Sequence, residues 1–280
     1  MLWGTLGIFG KLAFEYGTEP QTLIALRLMV SSITLLLAVA LIKRGLLAIK
    51  KKDIGYFLVL GLLAVALQRI AYFYAIDLTT ATIAAMLYYT YPITITIYTS
   101  LALKEKISHS TVLAILLAFL GVALVVRVYE ITWLSANMLG VTFGALSGIL
   151  FALFFLLTKK LRNDYTSWTL ILYGDGIDAI ALSPIVLSSF SKIASYPQQL
   201  WLLIFTIAWF PSLLAYLLYS YALKHVESSK GSILAVVEPL SAAIFSAAIL
   251  SEKFEFPQVL GVALALIGIT LLFYRPKLKR

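Results

Sequence analysis

Ten apolar segments follow one another along the chain, and short polar connectors separate them. An α-helix needs about twenty apolar residues to cross a hydrocarbon layer of about 30 Å. Hydrophobic residues make up 61% of the 280 and charged residues 12%, whereas a soluble domain carries about a quarter charged residues. The sequence therefore predicts an all-α integral membrane protein in the lipid bilayer. Its ten predicted transmembrane helices are 1–17, 21–42, 54–76, 80–103, 108–127, 137–158, 167–188, 199–223, 229–250 and 257–274.

Several other classes of protein are excluded by what the sequence lacks. There is no cysteine, and the two histidines, His109 and His225, lie near the ends of predicted spans. We therefore expect no metal site and no cofactor. A G-x-x-x-x-G-K-[ST] loop, which would indicate an ATP-driven pump, and a TVGYG channel filter are both absent. Ser147 has no deep histidine to activate it as a nucleophile, so we do not expect an enzyme.

The basic residues form short clusters between the apolar segments. The formal net charge is +9, but this distribution indicates membrane topology and not nucleic-acid binding. Sixteen lysines and arginines fall on one predicted side of the membrane, and three, Arg127, Lys192 and Lys253, fall on the other. The side rich in basic residues is expected to be cytoplasmic. We predict a multi-pass protein of the cytoplasmic membrane with both termini in the cytoplasm.

The sequence repeats itself at an offset of 147 residues. Fifteen of the 57 positions in 71–127 are identical to those in 218–274, without a gap. Each copy holds five spans, an odd number, so the second copy enters the membrane from the opposite side. We predict two five-helix inverted repeats, at 1–130 and 131–280, which is typical of secondary transporters with a binding site between the halves. The offset places Pro92 on Pro239, Glu105-Lys106 on Glu252-Lys253, and Gly121 on Gly268.

A set of motifs carries a resemblance to a known family. They are Trp3-Gly4 with Lys11 in the first span, LRLMVSS with Arg27 in the second, and Pro92, LKEKIS and Gly121 mirrored by Glu238-Pro239, LSEKF and Gly268. This pattern resembles the EamA-type group of the drug/metabolite transporter superfamily. The resemblance implies a ten-helix carrier, an exporter or facilitator of small polar or amphipathic metabolites such as amino acids. A duplicated chain already contains both inverted copies, so we expect a monomer to suffice.

Apart from charges near the span ends, six charged residues fall within the predicted spans: Lys11, Arg27, Arg69, Asp175, Asp178 and Glu238. A charge at the centre of a membrane helix costs about 2.5–3.5 kcal/mol on insertion scales, so such residues usually face the protein interior and pair. Asp175 and Asp178 are three positions apart and share one helical face. Two readings stay open for them: they share a proton in a relay, or they pair with one buried arginine, for which Arg27 is a candidate.

Two prolines, Pro92 and Pro239, interrupt apolar spans at equivalent positions of the repeat. Proline leaves the carbonyl four residues earlier without its helical partner, here the carbonyls of Tyr88 and Ala235. Glu238 stands directly before Pro239. A freed carbonyl beside a carboxylate is suited to hold an ammonium group, a proton or a water. The alternative is that both prolines only bend their helices, which does not explain Glu238.

The candidate substrate-binding residues are Glu238, Gln68, Tyr91, Tyr72, Tyr219 and Trp209. Gln68 is deep in its span, whereas tyrosine and tryptophan near span ends often form an interfacial belt. Together these features predict a secondary transporter that works by alternating access, with a proton as a possible coupling ion. The alternatives are a membrane scaffold or receptor without transport and an intramembrane enzyme. Neither requires buried charges beside paired helix breaks.

Overall fold

The computed structural model describes residues 2–103, 109–215, 218 and 237–273, and only the backbone of 99, 100, 102, 103, 159, 237–240, 272 and 273. Every regular element in these ranges is a helix. A 3-10 turn, Trp3–Thr5, precedes the first of them. In chain order the helices are α1 (Leu6–Glu15), α2 (Pro20–Ile42), α3 (Lys51–Leu78), α4 (Ala81–Tyr88), α5 (Tyr91–Leu103), α6 (His109–Val125), α7 (Ile131–Leu161), α8 (Ser167–Ser188), α9 (Phe190–Ala194), α10 (Gln198–Leu214), α11 (Val237–Ile249) and α12 (Phe256–Phe273).

These helices agree with part of the ten-span prediction. Four of them, α2, α3, α7 and α8, are long and apolar enough to cross a membrane, and α6, α10 and α12 are apolar but shorter. The first predicted span corresponds to the ten-residue α1. The predicted ninth span, 229–250, is described only from Val237 onward. The protein is therefore all-helical with several apolar spans, and the number ten stays a prediction.

The predicted fourth span, 80–103, is two helices in the structure. Helix α4 ends at Tyr88, and α5 begins at Tyr91, immediately before Pro92. Proline is tolerated in the first turn of a helix because its missing N–H has no helical partner there. The chain therefore accommodates Pro92 with a break between two helices. Pro239 lies in the first described turn of α11, and the residues before Val237 are outside the described part of the chain.

Two further prolines lie inside helices, Pro184 in α8 and Pro211 in α10. Each deprives a carbonyl of its helical N–H, and a carbonyl without any donor is costly in an apolar interior. In both places a serine next to the proline donates its hydroxyl to the carbonyl four residues before the proline. The two bonds are Ser183 Oγ to Ile180 O at 2.7 Å and Ser212 Oγ to Ile207 O at 2.9 Å.

Helices α3 and α10 each contain a π-helical segment, Leu60–Leu67 and Ala208–Leu214. At the offset of 147 residues, 61–67 fall on 208–214. The π geometry is rare and often marks functional sites, because it turns the following side chains away from their regular helical positions. Both segments adjoin partly buried polar residues: Arg69 follows the first closely, and Ser212 lies within the second.

The interior is formed by close helix pairs. Helix α8 packs on α2 and α3, helix α7 packs on α3, α4 and α5, and α6 runs along α12. Glycines make the last pair tight: a methyl group on Gly121 would lie 2.3 Å from the backbone nitrogen of Ala265, and one on Gly268 would lie 2.4 Å from that of Ala118. Small residues permit such approaches between membrane helices.

The outer surface of the described helices is apolar. Large hydrophobic side chains are widely exposed on several different helices, among them Leu37, Leu116, Ile180 and Leu202. Buried polar and charged side chains, such as Arg27 and Asp178, lie inside instead. Soluble monomers rarely expose so much apolar surface to water. The distribution fits a protein whose surroundings are lipid.

Candidate functional site

Four charged side chains meet in the interior where α2, α3 and α8 pack together. We call Arg27, Arg69, Asp175 and Asp178 the charge quartet. The guanidinium of Arg69 bridges both aspartates: its Nη2 lies 2.8 Å from Asp175 Oδ1, and its Nη1 lies 3.1 Å from Asp178 Oδ2. The side chain of Asp178 is 0% exposed and that of Asp175 is 12% exposed. Arg69, rather than Arg27, is therefore the arginine that contacts the two carboxylates.

Arg27 completes the quartet with different contacts. Its residue is 2% exposed, its Nη1 donates to Ser212 Oγ at 2.9 Å, and its Cζ lies 5.0 Å from the centre of the Phe73 ring. A guanidinium over an aromatic face gains electrostatic attraction that grows as water is excluded. Arg27 on α2 is thus linked to α3 through Phe73 and to α10 through Ser212.

The formal charges of the quartet cancel when both arginines and both aspartates are ionised. Two of its buried atoms, Arg27 Nε and Asp178 Oδ1, have no hydrogen-bond partner within the described part of the chain. A buried donor or acceptor without a partner costs about 1–3 kcal/mol, so such atoms are rare unless they have a role. The quartet therefore combines neutral overall charge with an unused donor and an unused acceptor.

A glycine brings the π segment of α3 close to α8 beside the quartet. A methyl group on Gly61 would lie 2.6 Å from Cβ of Ile177 and 3.2 Å from the carbonyl oxygen of Gly174. Only glycine permits this approach without moving a helix. Arg69 lies two turns further along α3, and Asp175 and Asp178 flank Ile177 on α8. The close contact at Gly61 thus helps to set the distance between the arginine and its carboxylates.

Lys11 is not part of the quartet. Its Nζ donates to three backbone oxygens at the carboxyl end of α3, those of Ile76 at 2.9 Å, Asp77 at 3.2 Å and Thr79 at 3.3 Å. The last carbonyls of a helix lack helical partners, and a cation stabilises them. Lys11 therefore joins α1 to the end of α3.

An aromatic cluster surrounds the break between α4 and α5. Tyr88 lies 5.4 Å from Tyr72, 5.9 Å from Tyr91 and 4.7 Å from Phe151, measured between ring centres. Tyr91 also contacts Phe151 at 4.8 Å. Aromatic side chains offer broad apolar faces together with phenolic hydroxyls. Two candidates from the sequence, Tyr72 and Tyr91, thus belong to one cluster that joins α3, the break and α7.

Gly148 on α7 faces the backbone of this break. A methyl group there would lie 2.9 Å from the carbonyl oxygen of Leu87, 2.9 Å from Thr90 Oγ1 and 3.0 Å from the carbonyl oxygen of Tyr88. The carbonyl of Tyr88 is the one that Pro92 leaves without a helical partner. Glycine therefore allows α7 to approach backbone oxygens at the centre of the helical region.

The remaining substrate-binding candidates from the sequence lie in different places. Gln68 is 8% exposed and precedes Arg69 on α3. Trp209 is 45% exposed, donates its indole N–H to Thr34 Oγ1 at 3.3 Å, and stands apart from the aromatic cluster. Tyr219 and the side chain of Glu238 lie outside the described residues. No group of acidic residues and histidines that could hold a metal occurs among the residues that the structure describes.

Sequence reasoning missed Ser212, Phe73 and Gly148, which contact the quartet or the helix break. A signal existed for Ser212, because it follows Pro211 in an apolar span and such a proline predicts a local polar partner. Phe73 and Gly148 carried no comparable signal. A phenylalanine or a glycine in a membrane span is ordinary, and only the packing of helices distant in sequence gives it a role.

Known proteins resemble this chain in sequence and in fold. The model of the EamA-like transporter family matches residues 1–127 and 138–274. An uncharacterized transporter of Archaeoglobus fulgidus is 30% identical over 192 residues, which are 68% of this chain and 66% of that protein. The uncharacterized transporter YetK of Bacillus subtilis (strain 168) is 30% identical over 277 residues, 95% of this chain and 82% of that protein. A crystal structure of another protein superimposes with a TM-score of 0.63 at 16% identity, covering 96% and 92% of the two chains, which shows the fold alone.

Proposed function

Since the chain belongs to the EamA-like transporter family, we propose that it is a secondary transporter of small polar or amphipathic metabolites such as amino acids. It exports or equilibrates them across the cytoplasmic membrane by alternating access. The observation that carries this proposal is the charge quartet, in which Arg69 bridges two aspartates inside an apolar helical protein. Ionisable residues inside a membrane protein are costly and usually mark substrate or ion pathways.

Two mirrored features support two inverted five-helix repeats, 1–130 and 131–280. Gly121 approaches Gly261 and Ala265, and Gly268 approaches Ala114 and Ala118. The offset of 147 converts the first set of contacts into the second. Two-fold symmetry requires such pairs: if Gly121 contacts Ala265, then its repeat counterpart Gly268 must contact Ala118, the counterpart of Ala265. The π segments Leu60–Leu67 and Ala208–Leu214 correspond at the same offset.

Contacts between connectors support the proposed topology. Lys50 pairs with Asp164, and Tyr165 donates to Asp53 Oδ2 at 2.7 Å, so two connectors assigned to the cytoplasm meet. Glu19 pairs with Lys192 at 3.1 Å, which joins two connectors assigned to the outer side. A missed span between either pair would place its members on opposite sides. Because the side of Lys50 carries the excess of basic residues, we propose that both termini are cytoplasmic.

The proposed binding region lies between the quartet and the aromatic cluster, with Gln68 and Tyr72 on the α3 side of it. Tyr91 adjoins the helix break and is the repeat counterpart of Glu238. Aromatic faces suit the apolar part of an amphipathic metabolite, and a charged neighbour suits its polar end. Glu238 is proposed to sense a cationic substrate group or a proton. Glu238→Gln should lower transport strongly while thermal stability stays near that of the parent protein.

A metabolite panel in proteoliposomes tests the proposal. Purified protein is reconstituted, and the uptake of labelled amino acids and related compounds is followed with and without a pH gradient. Saturable uptake of at least one compound, above that of empty liposomes, is the expected result. A gradient that changes the final accumulation would indicate proton coupling. A folded protein that moves none of the compounds would favour a scaffold or receptor over a transporter of this substrate class.

A further inference from the structure

A carboxylate in the connector between α11 and α12 reaches across to the first half of the chain. Glu252 Oε2 accepts a hydrogen bond from Thr82 Oγ1 at 2.9 Å, and its Oε1 accepts one from the backbone N–H of Ala81 at 3.2 Å. Ala81 and Thr82 open helix α4, where backbone N–H groups lack helical partners and a negative charge is stabilised. The donors and the acceptor are 170 and 171 positions apart in the sequence.

This contact is more than an ordinary helix cap. Helix α4 already has a local cap, since Thr80 Oγ1 accepts from the N–H of Ile83 at 3.2 Å. A helix cap usually comes from the residue just before the helix. Glu252 adds a second acceptor that comes from the other half of the chain. Any movement that separates the Glu252 end of α11 from the start of α4 must break both hydrogen bonds of the Glu252 carboxylate.

The backbone around Glu252 is shaped to deliver the carboxylate. Ser251 has φ +54°, a left-handed conformation that is uncommon for a residue other than glycine. It ends α11 and reverses the chain, so that the N–H of Glu252 donates to the carbonyl of Ser246 at 3.2 Å. The turn therefore directs Glu252 back toward its own helix and the neighbouring α4.

The surrounding helices are closed around this contact. Helix α11 packs against the turn Trp3–Thr5, against α1 and against α4. A methyl group on Gly7 would lie 3.0 Å from Cβ of Ala81, so α1 also sits tightly on the start of α4. Lys11 fixes the same corner from the first half through the end of α3. The corner formed by 76–82 is therefore held by a lysine from one half and a glutamate from the other.

We propose that Glu252 is the latch that keeps the transport path closed at this face of the membrane. Its two hydrogen bonds hold α11 against α4 in the state described here, and they separate when the path opens on this side. The role rests on the proposed alternating access, but it is observable without any substrate. Glu252 is a positioning residue: it sets the balance between the closed and open states of this face.

The accessibility of a cysteine at Ser246, whose carbonyl accepts the N–H of Glu252, tests this role. The chain contains no cysteine, so Ser246→Cys introduces a single thiol at a fully buried position of α11. A membrane-impermeant maleimide is added from the Glu252 side of proteoliposomes, and the labelling rate is measured. Loss of a helix cap shifts an equilibrium by about tenfold or somewhat less. Glu252→Ala should therefore raise the labelling rate about five- to tenfold. Glu252→Gln keeps one acceptor and resembles the protonated carboxyl, so its labelling rate should stay near that of the parent.

A matched control lies in the same connector. Glu255 pairs with Arg127 at the end of α6, beside the glycine contacts of α6 with α12, and its side chain is 49% exposed. Glu255→Ala should leave the labelling of Ser246→Cys unchanged. Thr82→Ala, which removes the partner and keeps the glutamate, should raise labelling like Glu252→Ala, and the double variant should add little.

The outcomes separate this inference from the proposed function. Equal labelling in Glu252→Ala, Thr82→Ala and the parent, with all three folded by thermal unfolding, would overturn the latch while leaving the transport proposal intact. Faster labelling of both variants in a protein that moves no compound of the panel would support the latch and contradict the proposed transport. If Glu255→Ala raises the labelling rate as much as Glu252→Ala does, the connector has loosened as a whole, and this result would also overturn the latch.

Discussion

Arg69 on α3 contacts Asp178 on α8 at 3.1 Å, although the two residues are 109 positions apart. The same guanidinium reaches Asp175, so one arginine neutralises two carboxylates while Arg27 lies beside them with Ser212 and Phe73. Breaking a buried ion pair by removing one partner is costly because the remaining charge stays buried. Removal of one member of the quartet should therefore lower stability and, under the proposed function, transport as well.

The members of the quartet should differ in their effect on stability. Arg69→Ala leaves two adjacent carboxylates without their shared partner and should lower the free energy of unfolding by about 3–5 kcal/mol. Asp175→Ala should be milder than Asp178→Ala, since Asp175 is partly exposed and Asp178 is not. Thermal unfolding in detergent measures the order. The matched control is Arg127→Ala, which removes ion pairs to two solvent-exposed carboxylates, Glu130 and Glu255, and should cost about 1 kcal/mol or less. An equal effect of Arg69→Ala and Arg127→Ala would contradict this order.

The glycine contacts of α6 and α12 give a second stability prediction. Gly121→Ala and Gly268→Ala each place a methyl group against the backbone of the other helix, so each should cost about 1–3 kcal/mol. If the two halves are related by a two-fold axis, the two variants should be similarly destabilised. Gly55→Ala is the control, because a methyl group there meets nothing within 4 Å. If thermal unfolding shows no loss of stability in Gly121→Ala or in Gly268→Ala, the close contact between α6 and α12 would be contradicted.

The Glu252 latch should respond to pH. Burial raises the pKa of the Glu252 carboxyl, although hydrogen bonds from Thr82 and Ala81 and the charge of Lys11 act in the opposite direction. When the latch opens, the carboxyl enters water and its pKa falls toward the ordinary value of about 4.3. The closed state therefore binds the proton more tightly, and its advantage is lost as pH rises through the raised pKa.

Labelling of Ser246→Cys is the measurement for this pH effect. After correction for the intrinsic pH dependence of the thiol, the labelling rate should rise with pH on the Glu252 side. In Glu252→Gln the corrected rate should be independent of pH. A corrected rate that falls as pH rises would contradict the assigned sign, and an unchanged profile in Glu252→Gln would show that another group titrates.

Topology can be tested in the same cysteine-free background. Single cysteines at Lys51, Lys160 and Ser191 all occupy exposed positions. With an impermeant reagent on intact cells, Ser191→Cys should react, whereas Lys51→Cys and Lys160→Cys should react only after the cells are opened. The reason is the excess of basic residues on the side of Lys51 and Lys160. The reverse pattern would place the termini outside.

The sequence predicted an all-helical protein with several apolar spans, but it did not predict how the buried charges pair. Spacing along one helix places Asp175 and Asp178 on a shared face, and nothing in the sequence tells whether Arg27 or Arg69 faces them. That choice depends on how α2, α3 and α8 are rotated about their axes, which the π segment Leu60–Leu67 alters. Trp209 shows the same difficulty: in a membrane helix both the lipid side and the interior are apolar, so periodicity does not distinguish them.

Glu252 shows a different reason for an incomplete prediction. It lies in a short connector beside Lys253, where a charged residue is usually solvated, and the sequence repeat marked only its correspondence with Glu105. Its role follows from the left-handed Ser251 and from the nearby start of α4, which are properties of the folded chain. Connector residues of this kind acquire a function only through contacts between elements distant in sequence.

Counterflow in proteoliposomes tests the central claim, transport by alternating access, most directly. Vesicles are loaded with an unlabelled compound from the panel, and the uptake of a trace of the labelled compound from outside is followed. A carrier that exposes its site alternately to each side exchanges internal for external substrate, so uptake should be transient, saturable and faster in loaded than in empty vesicles. Uptake that rises linearly with concentration and does not respond to internal substrate would contradict alternating access.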